Sequence, residues 1–129
     1  MGMAYADLII SNPVRPDLHP VEAKALADTG AVHLCIPHHV ALQLNLETSE
    51  EREVTLADGS KWLIPYVGPV GLQFGNRRCF VGALVMGDEV LLGAIPMEDM
   101  DLLVAPKRRE VIVNPASPNI PSAVAKGYH

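Results

Sequence analysis

One segment, residues 24–37, reads KALADTGAVHLCIP and places a small acidic turn between two apolar runs. The first run leads into Asp28, and Thr29 and Gly30 complete the turn. A carboxylate directly after a strand can be held rigidly, Thr29 can hydrogen-bond to neighbouring backbone, and Gly30 permits the close approach that such a turn needs. A bare Asp-Thr-Gly also forms ordinary Asx turns, so its meaning depends on the rest of the chain.

The composition around this turn favours short strands. The 129 residues suit one domain, and the 49% of hydrophobic residues suffice for a packed core. Eleven prolines and ten glycines break the chain into short pieces, which argues against a helix bundle. Seven to nine strand-like runs accompany one helical segment at residues 37–46, so we predict an all-β barrel or sandwich with one short helix.

Turn signals give this prediction its detail. Asp58-Gly59 lies between strand-like residues 53–56 and 61–67, and residues 75–78 join the runs 68–74 and 79–86. Both patterns predict hairpins. Residues 21–27 fit a strand as well as a short helix, whereas residues 90–95 predict a buried strand that enters a helical turn at 96–100. We therefore expect a barrel at residues 1–113 and a Pro-rich C-terminal tail at residues 114–129.

The order of the motifs resembles the retropepsin-type (single-domain, retroviral-like) aspartic proteases over about residues 20–115. The matching pieces are ALADTGA at 25–31, Ile36-Pro37, LADGS at 56–60, and LLG at 91–93 followed by MEDMDL at 97–102. The resemblance implies a small closed barrel that forms half of an active site. Asp28 would be the catalytic aspartate, with Thr29 and Gly30 completing the catalytic turn and the Thr29 hydroxyl bonding to the same loop of a second subunit.

The resemblance also gives roles to the other motifs. The hairpin around Asp58, Gly59 and Ser60 would be the flap that closes over substrate. Trp62 stands in this flap, and two interpretations of its role stay open: core packing and substrate contact. The supporting segments would be Ala31, beside the turn, and Leu92-Gly93, behind it. Val32 departs from the pattern, since many relatives carry Ser, Thr or Asp there.

Aspartic proteolysis needs two carboxylates about one water, and two carboxylates a few ångströms apart share one proton. This chain supplies one Asp-Thr-Gly, so the resemblance predicts a homodimeric endopeptidase that acts on peptides or proteins, with Asp28 of each copy on the two-fold axis. The alternative is a non-catalytic peptide-binding or dimerisation module on the same fold, because fold does not fix function.

Other classes of function lack support in the sequence. A net charge of −5 gives no basic field for nucleic acid or an anionic membrane. The N-terminus does not read as a secretory signal, so we expect a cytoplasmic protein. Nucleotide-binding loops are absent from the sequence, and we expect no cofactor.

Histidines and cysteines raise two further alternatives. His33, His38 and His39 suggest a zinc site, but no Cys or carboxylate stands at ligand spacing, so we expect no metal. Cys35 and Cys79 lack CxxC spacing, and we expect two buried, reduced thiols. A disulfide between them is the alternative.

Overall fold

The computed structural model describes residues 3–125 and Gly127. Nine strands and two short helices make up this part of the chain. In chain order they are β1 (Ala4–Ser11), β2 (Val21–Ala27), β3 (Leu34–Ile36), α1 (His38–Gln43), β4 (Thr48–Thr55), β5 (Lys61–Phe74), β6 (Arg77–Val85), β7 (Leu91–Leu92), α2 (Ala94–Asp99), β8 (Leu102–Ala105) and β9 (Glu110–Val113). The predicted all-β class is confirmed.

Six of the strands close into a barrel. The sheet order is β4-β5-β6-β3-β7-β2-β1-β9-β8, and an additional pairing of β5 with β1 joins the ends of the inner six. In that closing pair Ile9 lies opposite Gln73 and Ser11 lies opposite Gly71. β4 extends the sheet beyond β5, and β9 with β8 extends it beyond β1. The predicted small closed barrel is confirmed.

Alternation of side chains builds the barrel core. In β1, Ala4, Ala6, Leu8 and Ile10 are buried while the residues between them are exposed, because successive side chains of a strand point to opposite faces. The buried Leu8 and Ile10 side chains each contribute about 1.5–3 kcal/mol relative to their exposed state. This core fixes the positions of the strand ends that carry the Asp28 turn and the hairpins.

Both predicted hairpins are present. Thr55 pairs with Lys61 at the end of the β4–β5 hairpin, and Phe74 pairs with Arg77 at the end of the β5–β6 hairpin. The strand β5 is longer than the sequence indicated, since it runs through Gly68-Pro69, where two separate runs were predicted. The register shifts between Val67 and Val70, and this irregularity accommodates a proline that has no backbone N–H to donate.

The helices differ from the prediction in length and number. Residues 21–27 form a strand, and α1 ends at Gln43 because Asn45 takes a positive φ of 50°. The Asn12 amide donates to the Leu44 carbonyl at 2.9 Å and satisfies this helix end. A second helix, α2, begins at Ala94, so it replaces the last residues of the strand predicted at 90–95 and enlarges the turn predicted at 96–100. The described part of the chain therefore has two short helices rather than one.

The segment after β9 packs against the barrel. The Asp101 carboxylate accepts hydrogen bonds from the side chains of Asn114 and Ser117 and from the backbone N–H of Ser122. Buried Arg77 donates to the Ser117 carbonyl. The last predicted tail residues, 126 and 128–129, lie outside the described residues, and the division of the chain at residue 113 stays a prediction.

None of the helices in the described residues has the length and apolar character needed to cross a membrane.

Candidate active site

Asp28 stands at the end of β2, on a turn that backbone hydrogen bonds hold from both sides. Its N–H donates to the Leu92 carbonyl at 3.0 Å, and its carbonyl accepts from the Ala31 N–H at 3.0 Å. The Gly30 N–H donates to Asp28 Oδ1 at 2.9 Å and orients the carboxylate. The side chain is exposed, so one oriented carboxylate faces solvent at the mouth of this turn.

Leu92 and Gly93 lie directly behind this turn. Leu92 is fully buried, and a Cβ on Gly93 would lie 2.3 Å from the His33 carbonyl oxygen and 2.8 Å from that of Val32. Only glycine permits this approach of two backbones. The Ala94 N–H donates to the Ala31 carbonyl at 2.8 Å, which ties the start of α2 to the same loop. The structure thus brings together the residues from Asp28 to Ala31 with Leu92 and Gly93.

Thr29 borders an apolar groove of about 480 Å³. Met97, Leu103 and Val104 line it, and Glu98 and Arg109 add opposite charges at the same groove. Leu103 and Val104 are 43% and 36% exposed. Among the described residues, no group forms a hydrogen bond with the Thr29 hydroxyl. The groove therefore places exposed apolar surface next to the Asp28 turn.

The second predicted cluster forms the tip of the β4–β5 hairpin, which we call the flap hairpin. The Asp58 carboxylate accepts hydrogen bonds from the backbone N–H and the hydroxyl of Ser60, at 2.9 and 2.6 Å. These bonds hold the pKa of Asp58 below its usual range. Gly59 takes a φ of 86°, which explains why glycine stands there. The tip is thus a small, internally hydrogen-bonded turn.

Trp62 follows this tip on β5. Its indole N–H donates to the Ser60 hydroxyl at 3.0 Å, and the residue is 56% exposed. Core packing, one of the two interpretations of Trp62, is therefore wrong. Within the described residues no hydrogen bond joins the flap tip to the Asp28 turn, so the structure leaves the two predicted clusters separate.

The cysteines are free and buried, so the structure contains no disulfide between Cys35 and Cys79. Burial raises the pKa of the Cys35 thiol, and the negative charge of Asp28 adds to this shift. Burial also raises the pKa of Cys79, to about 12. Neither thiol is poised to act as a thiolate nucleophile.

The histidines do not converge on a metal site. Residues 3–125 with Gly127 contain no group of three or more His, Cys, Asp or Glu arranged to hold a metal ion. His38 and His39 are exposed on α1. His33 contacts Tyr66 instead, with ring centroids 5.8 Å apart and an interplanar angle of 67°.

Sequence reasoning missed the surroundings of Tyr66. The guanidinium carbon of Arg52 lies 3.8 Å from the centroid of the Tyr66 ring. A Cβ on Gly82 would lie 2.1 Å from the ring and hydroxyl atoms of Tyr66, so this ring rests directly on the β6 backbone. A glycine inside the strand-like run 79–86 was the available signal, since interior strand glycines often mark a close approach.

Two solved structures share this architecture. The retroviral protease-like domain of Ddi1 from Leishmania major superposes with a TM-score of 0.60 at 13% identity, over 99% of this chain and 99% of that one. The EIAV protease, solved in complex with the inhibitor HBY-793, gives a TM-score of 0.53 at 17% identity, over 76% of this chain and 88% of that one. These likenesses show the fold: the chain has the retropepsin-like β-barrel that its motifs predicted.

No protein-family model matches the sequence, and no curated protein matches it.

Proposed function

We propose that this protein is a homodimeric aspartic endopeptidase in which Asp28 of each copy forms one catalytic pair. The observation that supports this most strongly is the exposed Asp28 carboxylate on a turn fixed by Leu92 and Gly30, within a retropepsin-like barrel. A rigid, solvent-facing carboxylate at a strand end is suited to general acid–base work. The Cys35 thiol nearby is buried and protonated, so it does not compete as a nucleophile.

The chemistry follows from two carboxylates that share one proton. The ionised carboxylate takes a proton from the water molecule while the oxygen of that water attacks the peptide carbonyl carbon. The protonated carboxyl gives its proton to the carbonyl oxygen. Collapse of the resulting gem-diol breaks the C–N bond. The leaving nitrogen takes the proton that the first carboxylate received from water, and one hydroxyl of the gem-diol returns its proton to the second carboxylate. Gly30 contributes by holding Asp28 Oδ1 through its N–H, so the other oxygen stays available.

The groove beside Thr29 supports a second copy as the partner. It is lined by apolar side chains and runs next to the Asp28 turn, so a copy seated there would bring its own turn close. A two-fold axis brings the same surface of both copies together, and Glu98 and Arg109 on that surface offer opposite charges for pairing across it. The edge strand β8 carries Leu103 and Val104 on this surface.

The flap hairpin would cover the substrate. Its tip is a defined turn, and Trp62 and Leu63 on the arm behind it are 56% and 65% exposed. An extended peptide could pair with the backbone of this hairpin, as in strand addition. We assign Asp58, Gly59 and Ser60 to shaping the tip, and Trp62 to contacting the peptide.

The test is cleavage of an unstructured protein and a peptide library between pH 4 and 7. The wild type, Asp28→Asn and Asp7→Asn are compared, each with and without a statine-type inhibitor. Asp7 is exposed on β1 and serves as the matched control. We expect cleavage by the wild type and Asp7→Asn, inhibition by the statine compound, and about 10³-fold slower cleavage by Asp28→Asn, because a dimer of this variant lacks both carboxylates of the acid–base pair.

Two outcomes contradict the proposal. Equal cleavage by the wild type and Asp28→Asn would show that another group does the chemistry. Absence of cleavage at every pH, with a dimer or a bound peptide still present, would favour the non-catalytic module on the same fold. Sedimentation at micromolar concentration measures the dimer directly. A protein that stays strictly monomeric in the presence of inhibitor could not form the proposed pair of Asp28 carboxylates, and this result would contradict the proposal.

A further inference from the structure

Three side chains meet at the base of the flap hairpin, and we call them the flap stack: Arg52 on β4, Tyr66 on β5 and His33 just before β3. The Arg52 guanidinium lies 3.8 Å from the Tyr66 centroid, and the His33 ring meets the Tyr66 ring edge-on at 5.8 Å. Arg52 is opposite Ile64 in the ladder, so it is a diagonal neighbour of Tyr66. The flap stack thus joins both arms of the hairpin to the segment after Asp28.

The flap hairpin has few other attachments. Every residue of β4 is exposed or only half-buried, and so are Lys61–Leu63 of β5. Tyr66, in contrast, is half-buried and rests on Gly82 of β6, where any larger residue would collide with the ring. Contacts at Tyr66 are therefore well placed to set the angle at which the hairpin leaves the barrel.

The other end of the flap stack, His33, is tied to the segment behind the Asp28 turn. The His33 carbonyl packs against Gly93, and the neighbouring Val32 carbonyl accepts from the Ile95 N–H at 2.9 Å. Gly93 follows Leu92, which holds the Asp28 N–H. Because of these contacts, a movement of His33 would be transmitted to the segment that supports Asp28.

We propose that Tyr66, held between Arg52 and His33, is a positioning residue that fixes the flap hairpin relative to the Asp28 turn, and that protonation of His33 loosens this connection. The inference rests on the proposed peptidase function for its consequence in catalysis. The contacts themselves can be tested without any cleavage.

Charge explains the role of His33. Arg52 stacks on the same ring, and its Nε donates to Glu50 Oε2 at 3.2 Å, with Glu50 opposite Tyr66 in the β4–β5 ladder. The backbone carbonyl of His33 packs against Gly93, which brings no charge. Burial and the nearby Arg52 cation lower the pKa of His33 below its ordinary value. A protonated His33 would place a second cation against one tyrosine ring, which opposes close contact.

The experiment uses the full chain and its single tryptophan, Trp62, which stands on the flap hairpin. Acrylamide quenching of Trp62 and deuterium exchange of residues 48–63 are measured for the wild type, Tyr66→Leu and Tyr66→Phe. We expect Tyr66→Leu to raise flap exchange about tenfold by removing the cation–π and ring contacts, with β1 and β2 unchanged, and Tyr66→Phe to stay within about twofold of the wild type.

The histidine is tested by repeating both measurements from pH 7.5 to 5, after correction for intrinsic exchange. His33→Gln is compared with His39→Gln, a matched change of an exposed histidine on α1. We expect the wild type and His39→Gln to show increased quenching and exchange toward pH 5, and His33→Gln to show none. The same rise in His33→Gln would overturn the role of His33.

The role of Tyr66 is overturned if Tyr66→Leu leaves flap exchange within about twofold of the wild type, or raises exchange equally in β1 and β2. With an active enzyme, we expect Tyr66→Leu to raise KM about tenfold with a smaller change in kcat. If the wild type cleaves nothing, the proposed function fails, and the exchange data still decide the role of the flap stack.

Discussion

Substitution of Gly93 by alanine tests whether the segment behind the Asp28 turn depends on backbone contact. The new Cβ would lie 2.3 Å from the His33 carbonyl oxygen, well inside the 3.0 Å that real Cβ atoms essentially never cross, so the two backbones must move apart. The hydrogen bonds from Ala94 to Ala31, at 2.8 Å, and from Ile95 to Val32, at 2.9 Å, would then stretch or break. Two such bonds contribute about 1–3 kcal/mol together, and overpacking penalties fall in the same range.

We therefore expect Gly93→Ala to lower the free energy of unfolding by about 2–3 kcal/mol, measured by urea denaturation. Gly75→Ala is the matched control, because its Cβ would meet open space and its φ of 57° adds only local strain. That strain amounts to about 1 kcal/mol. A loss for Gly93→Ala no larger than that for Gly75→Ala would refute the close packing of Gly93 against His33.

Three further expectations concern the flap tip, the C-terminal segment and the thiols. Gly59→Val should reduce peptide cleavage more than stability, because the φ of 86° at Gly59 disfavours a branched residue while the space around it is open. Equal losses in the cleavage and denaturation assays would indicate instead that the hairpin is part of the core structure. Hydrogen bonds from the C-terminal segment lower the pKa of Asp101 to about 2, so their stabilisation is present above the usual carboxyl range and is lost as the pH falls through about 2. Deuterium exchange of residues 114–122 should thus stay slow at pH 5 in the wild type and become fast in Asp101→Asn; equal exchange in both would contradict the contact. Cys35 and Cys79 should resist a thiol reagent at pH 8 until urea unfolds the chain, and rapid labelling of the native protein would contradict their burial.

The sequence predicted the barrel well because its signals are local. Asp58-Gly59 demands a turn with positive φ, and the alternation of β1 selects one buried face. The position of Leu92-Gly93 behind Asp28 followed from the family resemblance rather than from any local signal. Where local signals compete, prediction was weaker: residues 21–27 fitted two structures, and pairing with β1 and β7 decided for a strand.

Contacts between residues far apart in the chain could not be predicted from the sequence. Nothing in the residues near Tyr66 indicates that it would meet Arg52 and His33, because these partners are brought together by the closure of the barrel. The burial of Arg77 was likewise not indicated by the sequence, since a charged residue beside a turn is expected to be exposed. The structure buries it completely, and its Nε and Nη1 have no partner among the described residues. Such burial depends on the C-terminal segment folding back over the β5–β6 turn.

The shared use of Asp28 by two copies is tested most directly by mixing wild-type protein with Asp28→Asn and measuring peptide cleavage per wild-type chain after subunit exchange. If one active site needs Asp28 from both copies, random pairing reduces this activity to about one half in an equimolar mixture and to about one tenth at a ninefold excess of the variant. Adding Asp7→Asn instead should not reduce it. Activity per wild-type chain that stays constant as Asp28→Asn is added would contradict a catalytic pair formed across the dimer.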